Sequence, residues 1–80
     1  MEEEESIVKR INTKFSTMSR GQRKLAEYIL SEYDKAAFLT AAEIGKQVGV
    51  SESTVVRFAG LLGYKGYPYM QKALEQLVYT

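Results

Sequence analysis

Residues 41–60 run Ala41-Ala-Glu-Ile-Gly45-Lys-Gln-Val-Gly-Val50-Ser-Glu-Ser-Thr-Val55-Val-Arg-Phe-Ala-Gly60. Thr40 and Glu43 have the capping-box form: a side-chain oxygen takes a free backbone N–H at a helix start, and the carboxylate three residues on reaches back. Ala42, Ile44 and Val48 then suit a short helix, which Gly49 ends because glycine takes the left-handed conformation at little cost. Ser51 is a further N-cap. Behind it Val55, Phe58, Ala59 and Leu62 recur at steps of three and four, so they share one face of a second helix that Gly63 stops. Two helices crossing at roughly 90–120° through a tight turn need a small residue where they touch and a permissive backbone at the corner. Gly45 and Gly49 meet those needs, with Ile44, Val48, Val50, Val55 and Phe58 turned inward. Residues 41–49 and 51–62 therefore read as a helix-turn-helix.

Outward from this pair the chain stays helical. Ile7, Val8, Ile11 and Phe15 form an apolar stripe ending near Lys14, and Glu2 to Glu5 suit the positive end of that helix dipole. Ser19 and Gln22 make another capping box, followed by Leu25, Ala26, Ile29, Leu30 and Tyr33 on a helix to about Asp34. Pro68 fits the first turn of a last helix, whose buried side is Met70, Ala73, Leu74 and Leu77. The expected fold is all-α: five helices, with a homeodomain-like three-helix core and flanking helices. Only Thr54 to Phe58 has any strand-like character.

The chain has 80 residues, 45% of them apolar and 26% charged, which is the balance of one small folded domain. It contains no cysteine and no histidine. Thiolate chemistry, cysteine- or histidine-ligated metal and an imidazole base are thereby excluded, and no cofactor or metal is expected. No run approaches the roughly 18 apolar residues of a membrane span. The acidic start is unlike a signal peptide, so a cytoplasmic location is expected. Glu2 to Glu5 hold four of the ten acids, leaving eleven basic and six acidic groups in residues 6–80. This mildly basic remainder is compatible with a polyanionic partner.

The second helix of the pair is shaped for a DNA major groove, which is wide enough to admit it. With Val55, Phe58, Ala59 and Leu62 inward, subtraction leaves Glu52, Ser53, Thr54, Arg57 and Gly60 outward. Arg57 is the first candidate for a base contact, since a guanidinium pairs with guanine O6 and N7. Ser51, Ser53 and Thr54 sit at the helix start, where short hydroxyls and free N–H groups favour a phosphate or a base edge. Glu52 reads first as stabilising that helix end and second as an acceptor for cytosine N4. Lys46 and Lys65 are candidate phosphate contacts, and Tyr64 belongs to an aromatic, basic segment able to flank a backbone. Each also has an ordinary reading, as surface lysine or packed tyrosine.

Several of these stretches together resemble a known family. Leu25-Ala-Glu-Tyr-Ile-Leu30, Ala42-Glu-Ile-Gly45, Val50-Ser-Glu-Ser-Thr-Val-Val-Arg-Phe58 and Leu62-Gly-Tyr-Lys-Gly-Tyr-Pro68 look like the N-terminal DNA-binding domain of RpiR-type bacterial transcription regulators. The resemblance runs from about Met18 to Leu77. Gly45 stands where that family more usually has alanine, a harmless change for close packing, and Tyr69 and Gln71 replace acidic and basic residues near the start of the last helix, which leaves no contact expected there. The resemblance implies a homodimer on an inverted-repeat operator, controlling sugar or sugar-phosphate genes. It also implies a C-terminal sugar-isomerase (SIS) domain that binds a phosphosugar effector. Leu77-Val-Tyr-Thr80 carries no helix stop, which fits a chain that continues.

Two rival classes remain. One is a protein interaction module using Val8, Phe15, the tyrosines and the last helix, without DNA. The other is a hydrolase with paired carboxylates, for which Glu43 and Glu52 are the only central acids. Both already have a helix-start role, so no enzymatic activity is expected.

Overall fold

The computed structural model of the protein describes residues 6–79. It is helical throughout, with α1 at Ile7–Lys14, a 3₁₀ turn at Phe15–Thr17, α2 at Arg20–Ser31 and α3 at Tyr33–Ala36. After these come α4 at Ala41–Val48, α5 at Glu52–Leu61 and α6 at Tyr67–Tyr79. Among the described residues there is no strand, and Thr54 to Phe58 lies within α5. Glu2 to Glu5 lie outside the described residues. The cap at the start of α1 is Ser6, whose Oγ accepts from the Lys9 N–H at 3.2 Å.

The helix starts follow from side-chain caps. Ser19 accepts from the Gln22 N–H at 3.3 Å while the Gln22 side chain accepts from the Ser19 N–H at 2.8 Å. Thr40 and Glu43 repeat the exchange at 3.1 and 2.8 Å. Two backbone donors that a helix start leaves unpaired are thus satisfied at each site. One core gathers the inward faces: Ile11, Leu25, Ile29, Ile44, Val55, Phe58, Met70 and Leu74 are fully buried. Helix α5 packs against α2, α4 and α6, which places it across the centre of the bundle.

Among the described residues there are six helices, not five. The second expected helix stops at Ser31 instead of running to Asp34, because Glu32 leaves the helical region at φ −128°, ψ 38°. The Ser31 hydroxyl donates to the carbonyls of Glu27 and Tyr28, a back-bond that bends helices. The bend redirects the chain so that Ala36 and Ala37 become fully buried and α3 packs on α6, while Tyr33 turns out to solvent. Helix α6 then holds the following loop. Gln71 Nε2 donates to the carbonyls of Ala37 and Leu39 at 3.2 and 3.1 Å, and the Tyr67 hydroxyl donates to the Leu39 carbonyl. Burial, reinforced by Glu43 and Tyr28, pushes the Tyr67 phenol up to about 12 from its ordinary 10.0.

Candidate nucleic-acid interface

The corner between α4 and α5 depends on two glycines for different reasons. Gly49 has φ 88°, the left-handed region, and its N–H and that of Val50 both donate to the Gly45 carbonyl, at 2.7 and 2.9 Å. Gly45 is where the helices meet: a Cβ there would stand 2.6 Å from the Val50 carbonyl oxygen. Glycine at 45 is therefore a requirement of this turn as it is folded, and more than a neutral replacement for alanine. Helix α2 supports the corner from behind, with Val50 Cγ1 3.5 Å from the Cβ position of Gly21.

Ser51 caps α5, its Oγ accepting from the Thr54 N–H at 3.1 Å. The same oxygen lies 3.1 Å from Ser53 Oγ and 2.9 Å from Thr54 Oγ1, so three hydroxyls cluster at the helix start. With 3.6 residues per turn, burying Val55, Phe58, Ala59 and Leu62 leaves Ser53 on the midline of the opposite face, with Gly60 and Arg57 about 30° to either side of it. Val56 and then Glu52 lie further round on the Gly60 side. Ser51, Glu52, Ser53, Val56, Arg57 and Gly60 are all exposed, whereas Thr54 is half-buried toward the flank. No carboxylate among the described residues forms an ion pair with Arg57.

The other expected contacts divide. Lys46 is exposed on the last turn of α4, near the start of α5, and Lys65 is exposed in the loop beyond its end. The two lysines thus bracket the helix. Tyr64 is half-buried, with the Arg10 guanidinium 4.6 Å from its ring centroid, so its face packs against α1. Arg10 Nη1 also donates to the Leu62 carbonyl at 2.8 Å, placing a cation at the negative C-terminal end of α5. Sequence reasoning missed Arg10 because its partner is 52 residues away. It also passed over Val56, although the same periodicity that selects Arg57 turns Val56 outward. Of the two central carboxylates, Glu43 is committed to the Thr40 N–H and Glu52 stands in the first turn of α5.

A glycine-cornered helix pair with its second helix buried on one face and bare on the other defines a helix-turn-helix domain. Residues 5–79 match the model of the helix-turn-helix domain of the rpiR family, and the chain belongs to that family. It is 39% identical over 67 residues to the HTH-type transcriptional regulator YfhH of Escherichia coli (strain K12), covering 84% of this chain and 24% of that protein. It is 31% identical over 71 residues to the HTH-type transcriptional regulator HexR of Pseudomonas aeruginosa, covering 89% of this chain and 25% of HexR. The NanR protein of Vibrio vulnificus, solved in complex with ManNAc-6P, superposes with a TM-score of 0.86 at 30% identity, over 92% of this chain and 28% of NanR. The chain thus spans about a quarter of the length of these relatives, of which YfhH and HexR are named as transcriptional regulators.

Proposed function

We propose that this chain binds double-stranded DNA sequence-specifically, with α5 lying in the major groove. Arg57 carries the reading: it is exposed on the outward face of α5, it makes no ion pair among the described residues, and its guanidinium has the geometry for a guanine edge. Ser51, Ser53 and Thr54 gather hydroxyls at the helix start for phosphate or base-edge contacts, with Glu52 beside them. Lys46 and Lys65 approach the DNA backbone on either side. Tyr64 braces Arg10 and so contributes through the position of α5.

The full-length protein, in this reading, is a cytoplasmic regulator of sugar or sugar-phosphate genes that binds an inverted repeat as a homodimer. Its effector is a sugar phosphate bound by a SIS domain C-terminal to residues 1–80. The support is the far greater length of the relatives and the ManNAc-6P complex of NanR. No helix among the described residues is long and apolar enough to cross a membrane.

Selection of bound duplexes from a random pool tests the proposal and returns the half-site with its spacing. Binding to random duplex must also strengthen steeply as salt is lowered, with a slope of roughly 0.9 per phosphate neutralised. Failure to enrich any duplex, together with a flat salt dependence, refutes DNA binding and favours a protein partner instead.

A further inference from the structure

Of the six glycines, Gly60 alone has neither a positive φ nor a neighbour: a Cβ built on it meets nothing within 4 Å, and its backbone is helical. The isolated fold gives no reason for glycine there. Alanine would favour the helix, since glycine is among the poorest helix formers. Gly60 nevertheless stands near the midline of the bare face of α5, on the side of Val56. One turn back lies Val56, a β-branched apolar side chain 43% exposed and absent from the core cluster. A missing side chain and an unburied aliphatic one, four residues apart, make an uncharged seam beside Arg57.

We propose that Val56 reads the C5-methyl group of a thymine in the major groove, and that Gly60 lets α5 come close enough for that contact. This inference rests on the DNA-binding reading and deepens it. Thymine is the base whose major-groove edge carries a methyl group, and aliphatic side chains recognise it by apolar contact. A branched aliphatic side chain on a helix surface reaches only a short distance, so the backbone beneath it must approach the base edges. A Cβ at position 60, on the same face, would hold the helix off.

The test uses the 80-residue chain and the duplex that it selects from a random pool. Each thymine of that duplex is replaced in turn by uracil, which removes only the methyl group, and affinities are measured for the parent, Val56→Ala and Gly60→Ala. At one thymine, uracil should weaken the parent roughly fourfold, as expected for one buried methyl group. The same replacement should leave Val56→Ala unchanged. Gly60→Ala should melt a few degrees higher than the parent, yet bind the duplex roughly tenfold more weakly, as overpacking would cause. That opposition of stability and binding excludes misfolding as the cause of the loss.

If no thymine couples to Val56, or if Gly60→Ala binds as tightly as the parent, the inference falls while DNA binding stands. A lower melting temperature for Gly60→Ala would also overturn it, because the fold itself would then require the glycine. If no duplex is enriched at all, the DNA-binding reading falls and this inference with it.

Discussion

Tyr67→Phe removes one oxygen from the contact that ties α6 to the loop before α4. The ring is 8% exposed and its hydroxyl donates to the Leu39 carbonyl, which also accepts from Gln71 at 3.1 Å. Removing the hydroxyl therefore leaves no orphaned acceptor, and at neutral pH the loss should be that of one ordinary hydrogen bond, about 1 kcal/mol. At high pH the sign reverses. The phenol titrates at about 12 in the folded protein and at 10.0 when unperturbed, so between these values the unfolded chain gives up a proton that the folded chain keeps. The raised value means that the stabilisation is complete below about pH 10 and is lost as pH climbs toward about 12. At about 1.4 kcal/mol for each pH unit, the parent should lose roughly 2 to 3 kcal/mol that Tyr67→Phe does not. The two stability curves should then cross near about pH 11. Urea unfolding of both proteins from about pH 9 to about pH 12 measures this, since every other group is common to the two proteins and cancels in the difference. A difference that stays constant across that range would show that the hydroxyl is not buried against the loop, and the anchoring argument would fail.

Gly45→Ala should destabilise the fold by about 1 kcal/mol, because the strain of a Cβ 2.6 Å from the Val50 carbonyl oxygen outweighs the gain in helix propensity. A rise in the urea midpoint would show that the corner has room. Ser51→Ala removes the oxygen that takes the Thr54 N–H and should cost about 1 kcal/mol, read as a lower melting temperature. Arg57→Ala should relax base preference at one position of the selected duplex, by about 1 to 3 kcal/mol of discrimination. Lys46→Ala should instead weaken all sequences alike and reduce the salt slope by roughly one unit. Unchanged specificity in a mobility-shift assay would remove Arg57 from the base-reading set.

The parts of this fold that could be read from the chain are those fixed by neighbours in sequence. Thr40 with Glu43, Ser19 with Gln22, and Gly49 each act within a few residues, so their spacing alone locates the starts of α2 and α4 and the corner. The break at Glu32 has no glycine or proline to announce it. It serves the burial of Ala36 and Ala37 against α6, a partner more than 30 residues further on, and becomes visible only once Gln71 is seen holding the Ala37 carbonyl. Gln71 itself reads as a departure from the family's basic residue, whereas its amide donates to two carbonyls of that loop. The proposed binding face is half legible for a different reason. Periodicity separates the two sides of α5 well, but composition assigns a valine to the core, so the sequence marks Arg57 on the outward side and not Val56. Tyr64 shows the converse: its neighbourhood of lysine and tyrosines suggests a ligand, and the cation over its ring belongs to the protein's own first helix.

The long-range contacts explain why the flanking helices belong to the working unit. The proposed reading of bases requires α5 to keep one orientation, and the turn with its Ser51 cap holds only the first end of that helix. At the other end the final carbonyls need partners. Gly63, at φ 94°, and Tyr64 turn the backbone so that their N–H groups donate to Gly60 and Ala59, while Arg10 reaches from α1 to take the Leu62 carbonyl. The three-helix core of α2, α4 and α5 contains neither Arg10 nor the Tyr67 and Gln71 donors that hold the approach to α4. A chain trimmed to that core would keep the buried face of the pair and lose the clamps at its far end and at its entrance. The outward face of α5, the proposed recognition surface, is therefore positioned by residues as distant as Arg10 and Gln71, and a change at either should alter how α5 is presented without touching a residue on that face.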